Sequence, residues 1–188
     1  MVINYFGNGT LRLQSGEISL LIDPEGNRLK ADVYLFTSSE LKEGETFSQD
    51  IINFPGEYES HGIEIIGAQI PEESSGDKVR TAYLVIMEGI KVAILGDAKK
   101  IPPVEVLERL EEPDILILPA EKGKYLSPED ADKLAKQLEP AVVIPSRYGN
   151  VNELGKAFEK KVELQEKFVC KKKDLERGKI ELVVLQEK

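Results

Sequence analysis

The sequence predicts an α+β protein with a strand-rich first half and a second half in which helices alternate with strands. Three observations carry this. Short apolar or alternating runs, separated by Gly, Asn and Asp, fill residues 2–95. From residue 102 onward the apolar spacing lengthens to that of a helix, as in Ala131, Leu134, Ala135 and Leu138. The 188 residues are 41% hydrophobic, enough to bury a core, and no low-complexity linker divides them. The whole span 1–188 therefore reads as a single domain.

The elements follow in order. Val2–Phe6 is a strand closed by Gly7-Asn8-Gly9. Thr10–Gln14 alternates strictly, with Leu11 and Leu13 on one face, and Ser15-Gly16 turns the chain into the strand Ile18–Ile22, which ends at Asp23-Pro24. Asp32–Phe36 is another strand, ending at Thr37, and the polar residues 38–50 read as a loop. Asp50–Asn53, Ile63–Ala68, Val79–Met87 and Ile90–Leu95 are further strands, the last two paired across Glu88-Gly89. Pro102–Glu112 is read as a helix stopped by Pro113, and Asp114–Leu118 as a buried strand. Ser127-Pro128-Glu129-Asp130 is a helix start, with Ser as N-cap, Pro at the first position and acids in the first turn. Ala141–Ile144 is a strand, Val151–Lys160 a helix, and the tail from Val162 two strands joined near Arg177-Gly178. Four strand ends, at Thr37, Gly96-Asp97, Pro119 and Pro145-Ser146-Arg147, are placed to carry chemistry, because ligand sites in layered α/β proteins lie outside such ends. They are expected on one edge of the molecule.

Composition excludes several functions. The formal net charge of −9 argues against a nucleic-acid partner. The single His61 and single Cys170 allow no internal disulfide and no Cys/His zinc site, which needs three or four such ligands. No run approaches the roughly 20 apolar residues of a membrane span, and no secretory leader is recognisable, so a cytoplasmic location and no membrane partner are expected. Abundant Glu and Lys with no Trp lean towards a thermophile.

Six segments carry a family likeness. Tyr5-Phe6-Gly7-Asn8-Gly9-Thr10, Leu20–Pro24 and Ala31–Thr37 resemble the opening of metallo-β-lactamase-fold hydrolases, most closely the small ascorbate-6-phosphate lactonase-like branch. Glu88–Asp97 is similar to that family's strand pair ending in Gly-Asp, and Leu138–Gly149 to the segment that usually reads Pro-x-His-Tyr-Gly. Asp114–Pro119 resembles the intervening buried strand. The resemblance implies a four-layer αββα sandwich and a hydrolase-like protein.

The same alignment removes the family's metal ligands. Its motif Thr-His-x-His-x-Asp-His falls on Thr37-Ser38-Ser39-Glu40-Leu41-Lys42-Glu43. The His near the opening turn is Asn8, the terminal His is Arg147, and the central His has no counterpart around Gln69–Glu72. Asp97 alone remains, and one carboxylate does not hold zinc. The expectation is a vestigial pocket of Asn8, Ser38, Glu40, Asp97, Arg147 and Tyr148, with no catalytic residue, metal or cofactor. Asp97 reads chiefly as a structural turn residue capping backbone N–H groups. An oxygen-ligand site of Asp97, Glu40 and Glu43 for magnesium or manganese is opposed by Lys42 and Arg147. Arg147 reads either as a salt-bridge staple to Asp97 or Glu40 or as an anion-binding group, with the staple favoured.

Three other features are set apart. His61, after Pro55-Gly56-Glu57-Tyr58-Glu59, reads as an exposed turn residue, its alternative being acid/base chemistry with Glu57 or Glu59. The run Lys171-Lys172-Lys173 reads as a solvated turn, and Cys170 as a packed thiol. The expected function is that of a metal-free, non-catalytic relative that acts by binding a small anionic ligand or a protein partner. The alternative is a hydrolase of lactonase or phosphodiesterase type with a rebuilt, non-histidine site.

Overall fold

The computed structural model describes residues 1–26, 28–40 and 48–188. In chain order the elements are β1 (Val2–Tyr5), β2 (Leu11–Ser15), β3 (Ile18–Ile22), β4 (Val33–Leu35), β5 (Ser38–Glu40), β6 (Ile51–Ile52), β7 (Gly56–Ser60), β8 (Ile63–Gln69), β9 (Lys78–Met87) and β10 (Ile90–Ile94). They continue with α1 (Val104–Glu108), β11 (Ile115–Ala120), α2 (Pro128–Leu138), β12 (Val142–Tyr148), α3 (Val151–Ala157), β13 (Leu164–Gln165), β14 (Phe168–Val169), β15 (Glu181–Leu182) and β16 (Val184–Leu185). One sheet runs β14-β1-β2-β3-β4-β6 and a larger one β15-β12-β11-β10-β9-β8-β7, with β5 attached to β9.

Side-chain parity explains the layers, because successive residues of a strand point to opposite faces. In the larger sheet Tyr83, Val85, Ile90, Val92, Ile94, Ile115, Ile117, Val142 and Ile144 pack against Ile3, Leu11, Leu13, Leu20, Ile22, Val33 and Leu35 of the smaller sheet. The intervening residues Leu84, Ala93, Leu116 and Val143 face the other way, onto Val106 and Leu107 of α1, Leu134 and Ala135 of α2, and Leu154 of α3. The central strands are thus buried on both faces, which is why they read as continuous apolar runs rather than alternations. The α+β sandwich expected from the sequence is present. Among the described residues, α1, α2 and α3 all pack with the larger sheet, and the outer face of the smaller sheet carries none of them.

Several elements differ from their sequence reading. Residues 38–50 are not wholly a loop: β5 pairs antiparallel with β9, Ser38 opposite Arg80 and Glu40 opposite Lys78. Leu41, Lys42 and Glu43 lie outside the described residues. The expected helix Pro102–Glu112 shrinks to α1, because Pro103 is held extended as its N-cap and Arg109 already ends it. The strand β7, unread in the sequence, pairs with β8 through the tight turn His61-Gly62, whose φ angles are +52° and +74°. The tail forms four two-residue strands rather than two longer ones: β14 and β15 extend one edge of each sheet, and β13 pairs with β16. By contrast α2 starts as its sequence dictates, the Ser127 hydroxyl accepting from the Asp130 N–H and Pro128 opening the first turn.

Candidate functional site

The sheet order brings the expected strand ends together. β10, β11 and β12 are parallel neighbours, so Gly96-Asp97, Pro119 and Arg147 emerge side by side, with Pro119 in register with Arg147. β3 and β4 are parallel in the other sheet, so Asp23 and Thr37 also emerge together. The two sets meet where Gly96 approaches Thr37. A Cβ on Gly96 would lie 2.1 Å from the Thr37 hydroxyl oxygen, so only glycine fits, and its φ of +55° suits no larger residue well.

Asp97 is the centre of the cluster. The Arg147 Nε–H donates to Asp97 Oδ1. The Arg80 guanidinium donates through Nη1 to Oδ2 at 3.3 Å. Asp97, Arg80 and Arg147 are 21%, 14% and 18% exposed at the side chain, so the ion pairs are largely withdrawn from water. Arg147 is held from two further sides. Its guanidinium lies 5.3 Å from the centre of the Tyr125 ring, a cation–π contact. Gly9, at φ +81°, leaves room for it: a Cβ there would sit 2.8 Å from Arg147 Nε.

Asp23 lies beside this cluster. Its Oδ1 and Oδ2 accept from the Thr37 N–H at 2.7 Å and the Thr37 hydroxyl at 2.6 Å. The residue keeps some exposed surface, but its carboxyl is densely enclosed. That enclosure pushes its pKa up to about 6, against the two Thr37 hydrogen bonds; the nearby Asp97 charge adds to the rise and Arg147 opposes it. The space among Gly9, Asp23, Asp97, Ser146 and Arg147 has no interior volume that admits water.

The six residues singled out in the sequence divide. Asp97 and Arg147 are brought together. Ser38 is set opposite Arg80 across the β5–β9 pair. Glu40, the other candidate acid for Arg147, is exposed at the far end of β5, opposite Lys78. Asn8 is exposed in its turn and donates to Glu25 at 3.3 Å. The Tyr148 hydroxyl donates to the Leu185 carbonyl at 2.6 Å, and its ring lies 6.0 Å from that of Tyr5. Arg80, Asp23 and Tyr125 were not read from the sequence as parts of the cluster. Arg80 carried a signal, being the one charge within the run Val79–Met87.

The remaining features resolve simply. His61 faces Asp50 at 3.3 Å, not Glu57 or Glu59. The Ser60 hydroxyl also donates to Asp50, at 3.0 Å, so Ser60 and His61 share an acid without forming a nucleophile–base pair. Cys170 is buried, and burial raises its thiol pKa. Lys172 is not a freely solvated member of its run: its Nζ reaches the buried Asp114 at 2.6 Å.

The donor set does not fit a metal. Both oxygens of Asp97 are engaged by guanidinium groups, and an arginine fills the space beside them. Among the described residues no three His, Cys, Asp or Glu side chains are grouped to hold a metal ion. Nor is any described helix long and apolar enough to cross a membrane.

Residues 2–147 match the model of the beta-lactamase superfamily domain. The chain belongs to that superfamily. A curated relative, the UPF0173 metal-dependent hydrolase of Methanopyrus kandleri, is 29% identical over 108 residues, covering 52% of this chain and 46% of the relative. The chain thus spans about half the length of that curated relative. Among solved structures, a candidate zinc-dependent hydrolase of the metallo-β-lactamase superfamily from Thermotoga maritima superposes with a TM-score of 0.81. The match is 22% identical and covers 100% of this chain and 99% of that one. Igni18, a metallo hydrolase of Ignicoccus hospitalis, superposes with a TM-score of 0.66 at 18% identity, over 90% of this chain and 99% of that one. These superpositions establish the fold this chain shares with them.

Proposed function

We propose that this chain is a metal-free member of the superfamily, in which an arginine–carboxylate cluster takes the place of the metal centre. It acts by binding a small anionic ligand or a protein partner rather than by metal-dependent hydrolysis. The observation that carries this is the occupation of both Asp97 oxygens by Arg147 and Arg80. A guanidinium is permanently charged and presents fixed donors, so it can neutralise a carboxylate that a cation would otherwise hold. The same positive charge repels a divalent ion from the site. The relatives named as zinc- or metal-dependent share the fold, and a fold does not transfer chemistry that its side chains cannot support.

One observation favours the alternative, a hydrolase with a rebuilt site: Asp23 has a pKa of about 6, suited to acid/base work near neutrality. Both its oxygens are committed to Thr37, however, and the space beside it admits no water to activate. Metal content tests the proposal. Protein purified from zinc- and iron-supplemented cells is expected to carry far less than one transition metal per chain. About one or two tightly held metals per chain would end this reading.

A further inference from the structure

We propose that the hollow between β9, the turn Pro71–Glu73 and residues 99–100 binds a small anion of phosphate type. This names a site and ligand class for the binding role proposed above, and rests on that reading. The hollow has a volume of about 330 Å³ and is lined by Lys78, Arg80, Lys99 and Lys100, against Glu72 and Glu73. Four basic residues lining one small cavity stand out on a chain of net charge −9. None of the three lysines has a salt-bridge partner among the described residues.

A second observation is independent of the lysines. The backbone N–H groups of Lys99 and Lys100 converge on a single oxygen, Glu73 Oε1, at 2.7 and 3.0 Å. Adjacent backbone donors aimed at one point form a small anion-binding concavity. Glu73 fills it with the protein's own carboxylate, as a placeholder. Such a side chain can swing aside for an anion of higher charge, because it is only half-buried on a short 3-10 turn. Lysine ammonium groups, each a compact charge with three rotatable donors, suit the tetrahedral oxygens of a phosphate group. Arg80 links this hollow to the Asp97 cluster, since it lines the hollow and its guanidinium donates to Asp97.

The experiment is calorimetric titration of the full chain with pyrophosphate at fixed ionic strength, against chloride as control. Saturable one-to-one binding of pyrophosphate but not chloride is expected. A Lys78→Ala/Lys100→Ala double variant should weaken it about tenfold or more, whereas Lys171→Ala/Lys173→Ala should leave it unchanged. Glu73→Gln, which keeps an acceptor for the two N–H groups but removes the charge, should tighten binding several-fold. Absence of saturable binding by the wild-type chain, or equal weakening by the two lysine pairs, would overturn the site. Weaker binding by Glu73→Gln would overturn the placeholder role. Metal content is read separately: a metal-free chain that ignores pyrophosphate defeats this inference alone, whereas a tightly held metal defeats the reading beneath it.

Discussion

Thr37 donates both its backbone N–H and its hydroxyl to Asp23, one to each carboxylate oxygen, at 2.7 and 2.6 Å. This links the ends of two parallel strands of the smaller sheet at the point where Gly96 of the larger sheet touches Thr37. Enclosure nevertheless raises the Asp23 pKa from its ordinary 3.8 to about 6. A raised carboxyl pKa means the folded chain binds the proton more tightly than the unfolded one. Stability therefore falls as pH rises from about 4 to about 6, and the penalty is fully present above that window. The stability of wild type relative to Asp23→Asn should drop by on the order of 2 kcal/mol between pH 4 and pH 7. Urea denaturation across that range reads it; a difference that is flat or rises with pH contradicts the assignment.

Gly96 and Gly16 separate conformation from crowding. Their φ angles are nearly equal, +55° and +58°, but a Cβ would meet Thr37 at 2.1 Å in the first case and nothing within 4 Å in the second. Gly16→Ala should cost about 1 kcal/mol, the left-handed backbone term alone. Gly96→Ala should cost at least about 2 kcal/mol more, because the two sheets must part locally. Equal losses in denaturation midpoint would show that the Gly96–Thr37 approach is not a close contact in solution.

Asp114 is buried, accepts from the Lys91 N–H at 2.8 Å and is neutralised by Lys172. Lys172→Ala should destabilise by about 1–2 kcal/mol, since it leaves a buried carboxylate short of a charged donor. Lys171→Ala and Lys173→Ala should each stay within about 0.5 kcal/mol of wild type. Three equal effects would remove the distinction between Lys172 and its neighbours.

Much of this was legible in the residues. Where a strand is long and its faces are buried against different layers, as in β9 to β12, apolar content announces it. The helix α2 was announced by Ser127, Pro128 and its spaced alanines and leucines. The pairing of Arg147 with Asp97 was legible as chemistry, because a cation replaced an expected ligand beside a retained acid. What was not legible depended on partners distant in the chain. Two-residue strands such as β13 and β15 have no period to read and exist only because neighbouring strands offer open edges. Arg80 meets Asp97 because the β9–β10 hairpin, whose pairing across Glu88-Gly89 was legible, sets position 80 opposite 97 once its register is carried past Ile94. Asp23 looked like the end of a strand before a proline, and its enclosure comes from the opposite sheet and from Thr37. Glu40 went unused because pairing of β5 with β9 carries it outward, opposite Lys78.

The account turns on Arg147 and Asp97 holding each other in a largely water-excluded site, and a double-mutant cycle tests this most directly. Arg147→Ala and Asp97→Asn should each lower stability by about 1–3 kcal/mol, with Arg80 softening the first by remaining on the carboxylate. The double variant should lose clearly less than the sum, giving a coupling of about 1–2 kcal/mol. Losses that simply add, within about 0.5 kcal/mol, would mean the pair does not close the site and would contradict the account.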